Sequence, residues 1–123
     1  MSKIISKELI EKAFKIILKR AKEYNPIYYG QLYEELKLNH ASLEDRMIGA
    51  EILEEVNEKS GKNYMLTAFV VSKSGNGPYE GFYTLAVELG RIKNGLSDDE
   101  KDRFWIAEMK KVHEKFKMIK EEI

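Results

Sequence analysis

The chain has no cysteine among its 123 residues, which excludes a disulfide framework and thiol chemistry. It has two histidines, His40 and His113, too few for a histidine-built metal site without other ligands. Its 21 basic and 21 acidic side chains cancel to a net charge of zero, so the overall basic excess common in nucleic-acid-binding domains is missing. No apolar run approaches the ~18 residues of a membrane span. The start, Met1-Ser2-Lys3-Ile4-Ile5, carries no signal-peptide pattern, so the expectation is a soluble cytoplasmic protein with no membrane partner. Internal repeats and low-complexity tracts are also missing.

What is present is 43% hydrophobic residues beside 34% charged ones. A chain of this size fits one domain, 1–123, that buries roughly two-thirds of its unfolded surface. Ser6 reads as an N-cap. Leu9, Ile10, Phe14, Ile17, Ala21 and Tyr24 then recur at helical steps, giving an amphipathic N-terminal helix over 1–25 that Asn25-Pro26 should end. Residues 1–24 carry a net charge of +4, the pattern of a solvated face or of a phosphate-facing one.

Residues 26–90 form the next unit. Tyr29 to Leu36 reads as a short helix with Leu32, Tyr33 and Leu36 on one side, followed by a turn through His40. Ser42 caps a second helix, with Asp45 at the capping-box position and Met47, Ile48, Ile52, Leu53 and Val56 facing inward. Gly49 in mid-helix predicts close approach of the neighbouring helix, and Gly61 fits a left-handed C-cap. Residues 64–71 read as a buried strand, and the glycine-rich stretch 73–81 as a loop. Phe82, Leu85, Ala86 and Leu89 fit a short helix closed by Gly90, while Phe82-Tyr83-Thr84 also fits the extension of a strand. The predicted fold is α+β and mostly helical: a winged helix-turn-helix-like core with a small sheet, flanked by long N- and C-terminal helices.

In the last unit, 97–123, Ser97 and Glu100 form a capping box. Trp105, Met109, Val112, Phe116, Ile119 and Ile123 make a heptad seam that packs on the first helix and the sheet, or on a second protomer. The acids Asp98, Asp99, Glu100 and Asp102 match no calcium loop and read as helix-start residues.

The order Tyr29-Gly30-Gln31-Leu32, Arg46-Met47-Ile48-Gly49, then Val70-Val71-Ser72-Lys73-Ser74-Gly75 resembles the DNA-binding domain of the methylated-DNA–protein cysteine methyltransferases and of their non-catalytic alkyltransferase-like relatives. The likeness covers about half the chain, residues 26 to 90. It implies a tyrosine, Tyr29, against the DNA backbone, and an arginine, Arg46, filling the gap left by a flipped base. Where that family has its reactive cysteine this chain has Thr67, followed by Ala68 and Phe69 in place of histidine and arginine and preceded by Leu66 in place of proline. Alkyl transfer to sulfur is therefore excluded. The chain is also similar to small uncharacterised bacterial and phage-type proteins that share the Val-Val-Ser-Lys and Gly-Phe-Tyr motifs.

The resemblance and the charges pull apart. Residues 29–61 carry eight acids against Lys37, Arg46 and Lys59, a net charge of −5 on the would-be DNA-reading unit. Phosphate binding is supplied by Lys and Arg, so an acidic reading helix opposes it. Two functions follow as expectations. One is a non-enzymatic protein that binds double-stranded DNA through Tyr29, Gln31, Ser42, Arg46 and Lys73. The other is a protein-interaction module, of the kind a phage or plasmid accessory protein provides, using the acidic second helix. Neither requires a cofactor or a metal. The tyrosines Tyr28, Tyr29, Tyr33, Tyr79 and Tyr83 are either core packing or an aromatic surface for bases.

Overall fold

The computed structural model describes residues 6–39, 41–61, 63–73 and 77–118. In chain order these form α1 (Lys7–Glu23), β1 (Ile27–Tyr28), α2 (Tyr29–Glu35), α3 (Leu43–Ser60), a 3-10 turn (Leu66–Phe69), β2 (Val70–Val71), α4 (Phe82–Glu88) and α5 (Asp98–Phe116). The chain is thus α+β and mostly helical, with one small sheet among the described residues. No helix among them is long and apolar enough to cross a membrane.

The helices begin where the capping residues place them. The Ser6 hydroxyl accepts the Leu9 amide at 3.0 Å. Ser97 and Glu100 close a complete capping box, at 3.2 Å and 3.0 Å. At α3 the Ser42 hydroxyl accepts from the Asp45 amide at 3.3 Å, but the return contact differs: the Asp45 carboxylate accepts from the Asn39 amide at 2.8 Å. Asp45 is buried at that corner and is tied to the α2–α3 turn.

The core is built from the inner faces of α1, α3 and α5 around the 3-10 turn. Ala13, Ile17 and Ala21 of α1, Ile52, Leu53 and Val56 of α3, and Val112 of α5 are buried there. Met47, expected to face inward, is instead exposed, because the buried arc of α3 stops short of it; Leu89, at the end of α4, is exposed as well. The heptad seam is used inside the chain: Met109, Val112 and Phe116 are buried against α1 and the 3-10 turn, so this stretch is not open to a second protomer. Ile119 and Ile123 lie outside the described residues.

The largest departure from expectation is the stretch 64–71. It is buried as predicted, yet only Val70–Val71 are strand; Leu66–Phe69 coil into a 3-10 turn. A buried strand needs ladder partners on its edges, and the neighbours here are helices, which offer none. Side chains replace the ladder. Asn57 of α3 accepts the Thr67 amide through Oδ1 at 3.1 Å. The buried Glu108 of α5 accepts the Met65 amide at 2.7 Å, and the Trp105 indole donates to the Ala68 carbonyl at 2.9 Å. Glu108 is itself held by Arg91 through two contacts, at 2.7 Å and 3.1 Å.

α1 ends one residue before Asn25-Pro26. Tyr24 adopts left-handed backbone angles (φ 53°, ψ 46°), and its amide bonds the Ala21 carbonyl at 3.2 Å. Its ring stands edge-on to Phe69 and to His113, with centroids 5.6 Å and 4.9 Å away. His113 is half-buried: its Nδ1 meets the Ala21 carbonyl at 2.8 Å, because α5 packs across the end of α1. At the end of α3, Gly61 has positive φ (102°) but an extended ψ of 158°, so it departs from the left-handed cap that was expected.

Gly49 has the expected reason. A Cβ there would overlap the ring and hydroxyl of Tyr33 from α2. Gly49→Ala is expected to destabilise the chain by about 1–3 kcal/mol, the scale of overpacking, in denaturant unfolding. In a Tyr33→Leu background the same change should cost less than half as much. Arg91→Ala leaves the buried Glu108 carboxylate with the Met65 amide and with Lys111 at 3.7 Å, and is expected to cost about 3 kcal/mol in the same measurement.

Candidate nucleic-acid interface

β1 and β2 pair in parallel, with Ile27 opposite Val70 and Tyr28 opposite Val71. Parallel pairing brings both strand exits to one edge. There Tyr28 leads directly into α2, and Val71 leads to Ser72 and Lys73. Beyond β2 the chain turns back antiparallel: the Ser72 amide bonds the Gly77 carbonyl at 3.0 Å, and the Tyr79 amide bonds the Val70 carbonyl at 3.0 Å.

Between these exits and the first turns of α3 lies an open cleft of about 1220 Å³. Its walls are Tyr28, Tyr29, Gly30, Gln31 and Glu34 from the β1–α2 side, Arg46 and Ala50 from α3, and Ser72, Lys73, Tyr79, Glu80 and Gly81 from the returning loop. Tyr29, Gln31, Arg46 and Lys73 are therefore brought together around one space. Ser42 is not: it is half-buried, and its hydroxyl caps α3 away from the cleft. His40 lies outside the described residues.

The tyrosines build the cleft wall. The Tyr33 hydroxyl donates to the Arg46 carbonyl at 3.2 Å, which leaves its oxygen to accept from Tyr29, 2.6 Å away. Desolvation, strengthened by the Tyr29 hydrogen bond, pushes the Tyr33 phenol far above its ordinary value, so it stays a neutral donor. The ring of Tyr29 lies parallel to that of Tyr79, with centroids 6.0 Å apart and planes 14° apart. Tyr79 is buried and its phenol is likewise held well above its usual range by desolvation; it donates to Thr67 at 3.0 Å.

Thr67, at the position where the resemblance puts a reactive cysteine, is fully buried. Its hydroxyl accepts from both Tyr79 and the Asn57 amide group, the latter at 2.8 Å. It braces the cleft wall from behind and does not open into it.

The chain matches no protein-family model, and no curated protein or solved structure matches it.

Charges at the cleft balance: Arg46 and Lys73 stand against Glu34 and Glu80. Arg46 is exposed and has no ion-pair partner among the described residues. The acids of 29–61 are spread over several faces. Asp45 is spent on the Asn39 amide, Glu35 lines a separate groove with Lys19 and Arg20, and Glu51, Glu54, Glu55 and Glu58 sit on exposed positions of α3. Of the tyrosines weighed as an aromatic surface, Tyr28 is exposed and Tyr29 half-exposed; Tyr33 and Tyr79 are buried. Tyr83 is half-buried, donates to the Lys101 carbonyl at 3.1 Å, and has its phenol pushed up to about 12 by desolvation. Sequence reasoning left Tyr79, Ser72 and Glu80 out of the site. Tyr79 and Glu80 reach it only through the antiparallel return of the glycine-rich loop. No group of three or more acidic or histidine side chains among the described residues is placed to hold a metal ion.

The Glu54 carboxyl is held above the usual carboxylate range by desolvation and by Glu88, Glu51, Glu58 and Glu55. A carboxyl whose folded pKa is raised penalises the folded state once ionised, and the penalty disappears as pH falls through that pKa. Glu54→Gln is therefore expected to raise the thermal midpoint at pH 7. The gain should vanish below the carboxylate range, as read from melts across pH.

Proposed function

We propose that the chain is a non-enzymatic, winged-helix-like protein that binds double-stranded DNA, alkyltransferase-like in its shell and without alkyl transfer. The observation that carries this reading is the convergence of Tyr29, Gln31, Arg46 and Lys73 on one open cleft. Three further features support it. α2, a turn and α3 follow one another as in a helix-turn-helix, and Arg46 stands exposed in the first turn of α3, the end of such a helix that meets the duplex. Residues 77–79 return antiparallel on 70–72, and Ser72 and Tyr79 of this pair line the cleft together with Arg46 and Ala50 of α3. The buried Thr67 hydroxyl, engaged by two donors, supports a binding role over a catalytic one.

In this reading Arg46 and Lys73 pair with phosphate oxygens, while Tyr29 and Gln31 contact the backbone and groove edge. Glu34 and Glu80 oppose the phosphates, so binding is weak and depends on few ionic contacts. With two phosphates neutralised, the logarithm of the association constant should fall with the logarithm of salt at a slope of about 2. Arg46→Ala and Lys73→Ala should each lower that slope by about 1 and weaken binding of all duplexes alike, whereas Glu34→Gln with Glu80→Gln should tighten it. Fluorescence anisotropy with a labelled duplex across a salt series reads these effects. No binding tighter than ~10⁻⁴ M at low salt, or a slope indifferent to Arg46 and Lys73, overturns the reading.

A further inference from the structure

Leu43 is 66% exposed and Met47 61%; among the described residues only Met118 is a more exposed large apolar side chain. Neither belongs to the core or to the half-buried side chains packed on it. Residues three or four apart on a helix are surface neighbours. Leu43, Arg46, Met47 and Ala50 adjoin one another at those spacings, so they form a diamond on the first two turns of α3. All four are exposed. Arg46 and Ala50 also line the cleft, which makes the diamond continuous with it. At its far end stand two exposed acids: Glu51, four residues after Met47, and Glu54, four after Ala50. Exposed apolar residues scattered singly need no explanation, but a contiguous pair at the wall of an open cleft marks a contact surface.

We propose that this diamond reads thymine in the major groove, so that the chain prefers duplexes carrying runs of A·T pairs. The proposal rests on the DNA reading of the cleft and names the sequence class that goes with it. Leu43 and Met47 carry neither donor nor acceptor, so what they can recognise is an apolar group. On the base edges of a duplex that group is the C5 methyl of thymine, which projects into the major groove, where an α-helix fits. The first turns of a reading helix are the part that meets base edges. From Leu43 to Ala50 the helix rises about 10 Å, the length of about three base-pair steps. Glu51 and Glu54 end the contact there, because carboxylates are repelled by the phosphates that flank the groove. The guanidinium inside the diamond selects this occupant over an apolar protein surface. A duplex offers Arg46 a phosphate beside the methyls, whereas an apolar surface would strip its water and give nothing back. Arg46 and Lys73 then position the chain, and Leu43 and Met47 supply the choice of sequence.

Fluorescence anisotropy of the full chain with four labelled duplexes, at about 50 mM salt, tests the proposal. The duplexes are an A·T-rich one, the same with uracil for every thymine, a G·C one, and the same with 5-methylcytosine for every cytosine. Burying one methyl is worth about fourfold in affinity, so two engaged thymines predict binding weakened on the order of 10-fold in the uracil duplex. 5-Methylcytosine, which places a methyl at the same ring position, should strengthen binding of the G·C duplex by a similar factor. Leu43→Ala with Met47→Ala should leave the fold, checked by circular dichroism, and the salt slope unchanged. The thymine-to-uracil ratio should drop to within about twofold. Salt-dependent duplex binding that is indifferent to the methyls overturns this proposal and leaves the DNA reading standing. So does a methyl preference that survives the double change. No duplex binding at any salt overturns the DNA reading itself, and this proposal with it. An apolar protein partner as the occupant predicts methyl indifference.

Discussion

The backbone of Met65–Phe69 passes through the middle of the molecule without a sheet to receive its hydrogen bonds. An unpaired buried amide or carbonyl costs on the order of a few kcal/mol, so this path exists only because side chains take over the role of a neighbouring strand. Asn57 serves Thr67, Glu108 serves Met65 and Trp105 serves Ala68. Each reaches in from a different turn of α3 or α5, so the buried segment fixes how the two helices sit against it. A buried carboxylate in this role needs its own counter-charge, and Arg91 provides one from the α4–α5 connection. Among the described residues no buried side-chain nitrogen or oxygen lacks a partner.

The cleft inherits its shape from that arrangement. Thr67 bonds Tyr79 on the side facing the loop, and Tyr79 stacks on Tyr29. Tyr29 bonds Tyr33, and Tyr33 reaches the Arg46 carbonyl across the gap that Gly49 leaves open. A chain of hydrogen bonds and ring contacts therefore links the buried 3-10 turn to the end of α3 that carries Arg46. Neutral phenols hold this chain together, since burial keeps Tyr33 and Tyr79 protonated. Arg46 stands at the end of this chain, and Glu34 and Glu80 offset the two cations of the cleft.

The same economy of charge appears at the scale of the whole molecule. Cations concentrate on α1 and anions on the outside of α3, and the seam between them is bridged by Lys59. The total is zero, yet the local fields are not.

Capping residues and hydrophobic periodicity are local signals, and the sequence carried most of them, Met47 and the cap at Gly61 aside. Ser6, Ser42 and Ser97 start their helices, the inward residues of α3 and α5 follow the helical repeat, and Gly49 marks a close approach, because each depends on neighbours a few positions away. Tyr29, Gln31, Arg46 and Lys73, singled out through their order along the chain, line one cleft. Tertiary structure alone decided the rest. The composition of 64–71 reads as strand, but whether it pairs depends on what lies alongside, and helices lie alongside. His113 and Tyr24 looked like ordinary helix positions until α5 crossed the end of α1. Tyr79 and Glu80 joined the cleft only when the loop returned antiparallel on β2, and Ser42 fell outside it because its hydroxyl was already committed to the backbone. Local order along a chain sets which residues can form an element; contacts between distant elements set which of them share a surface.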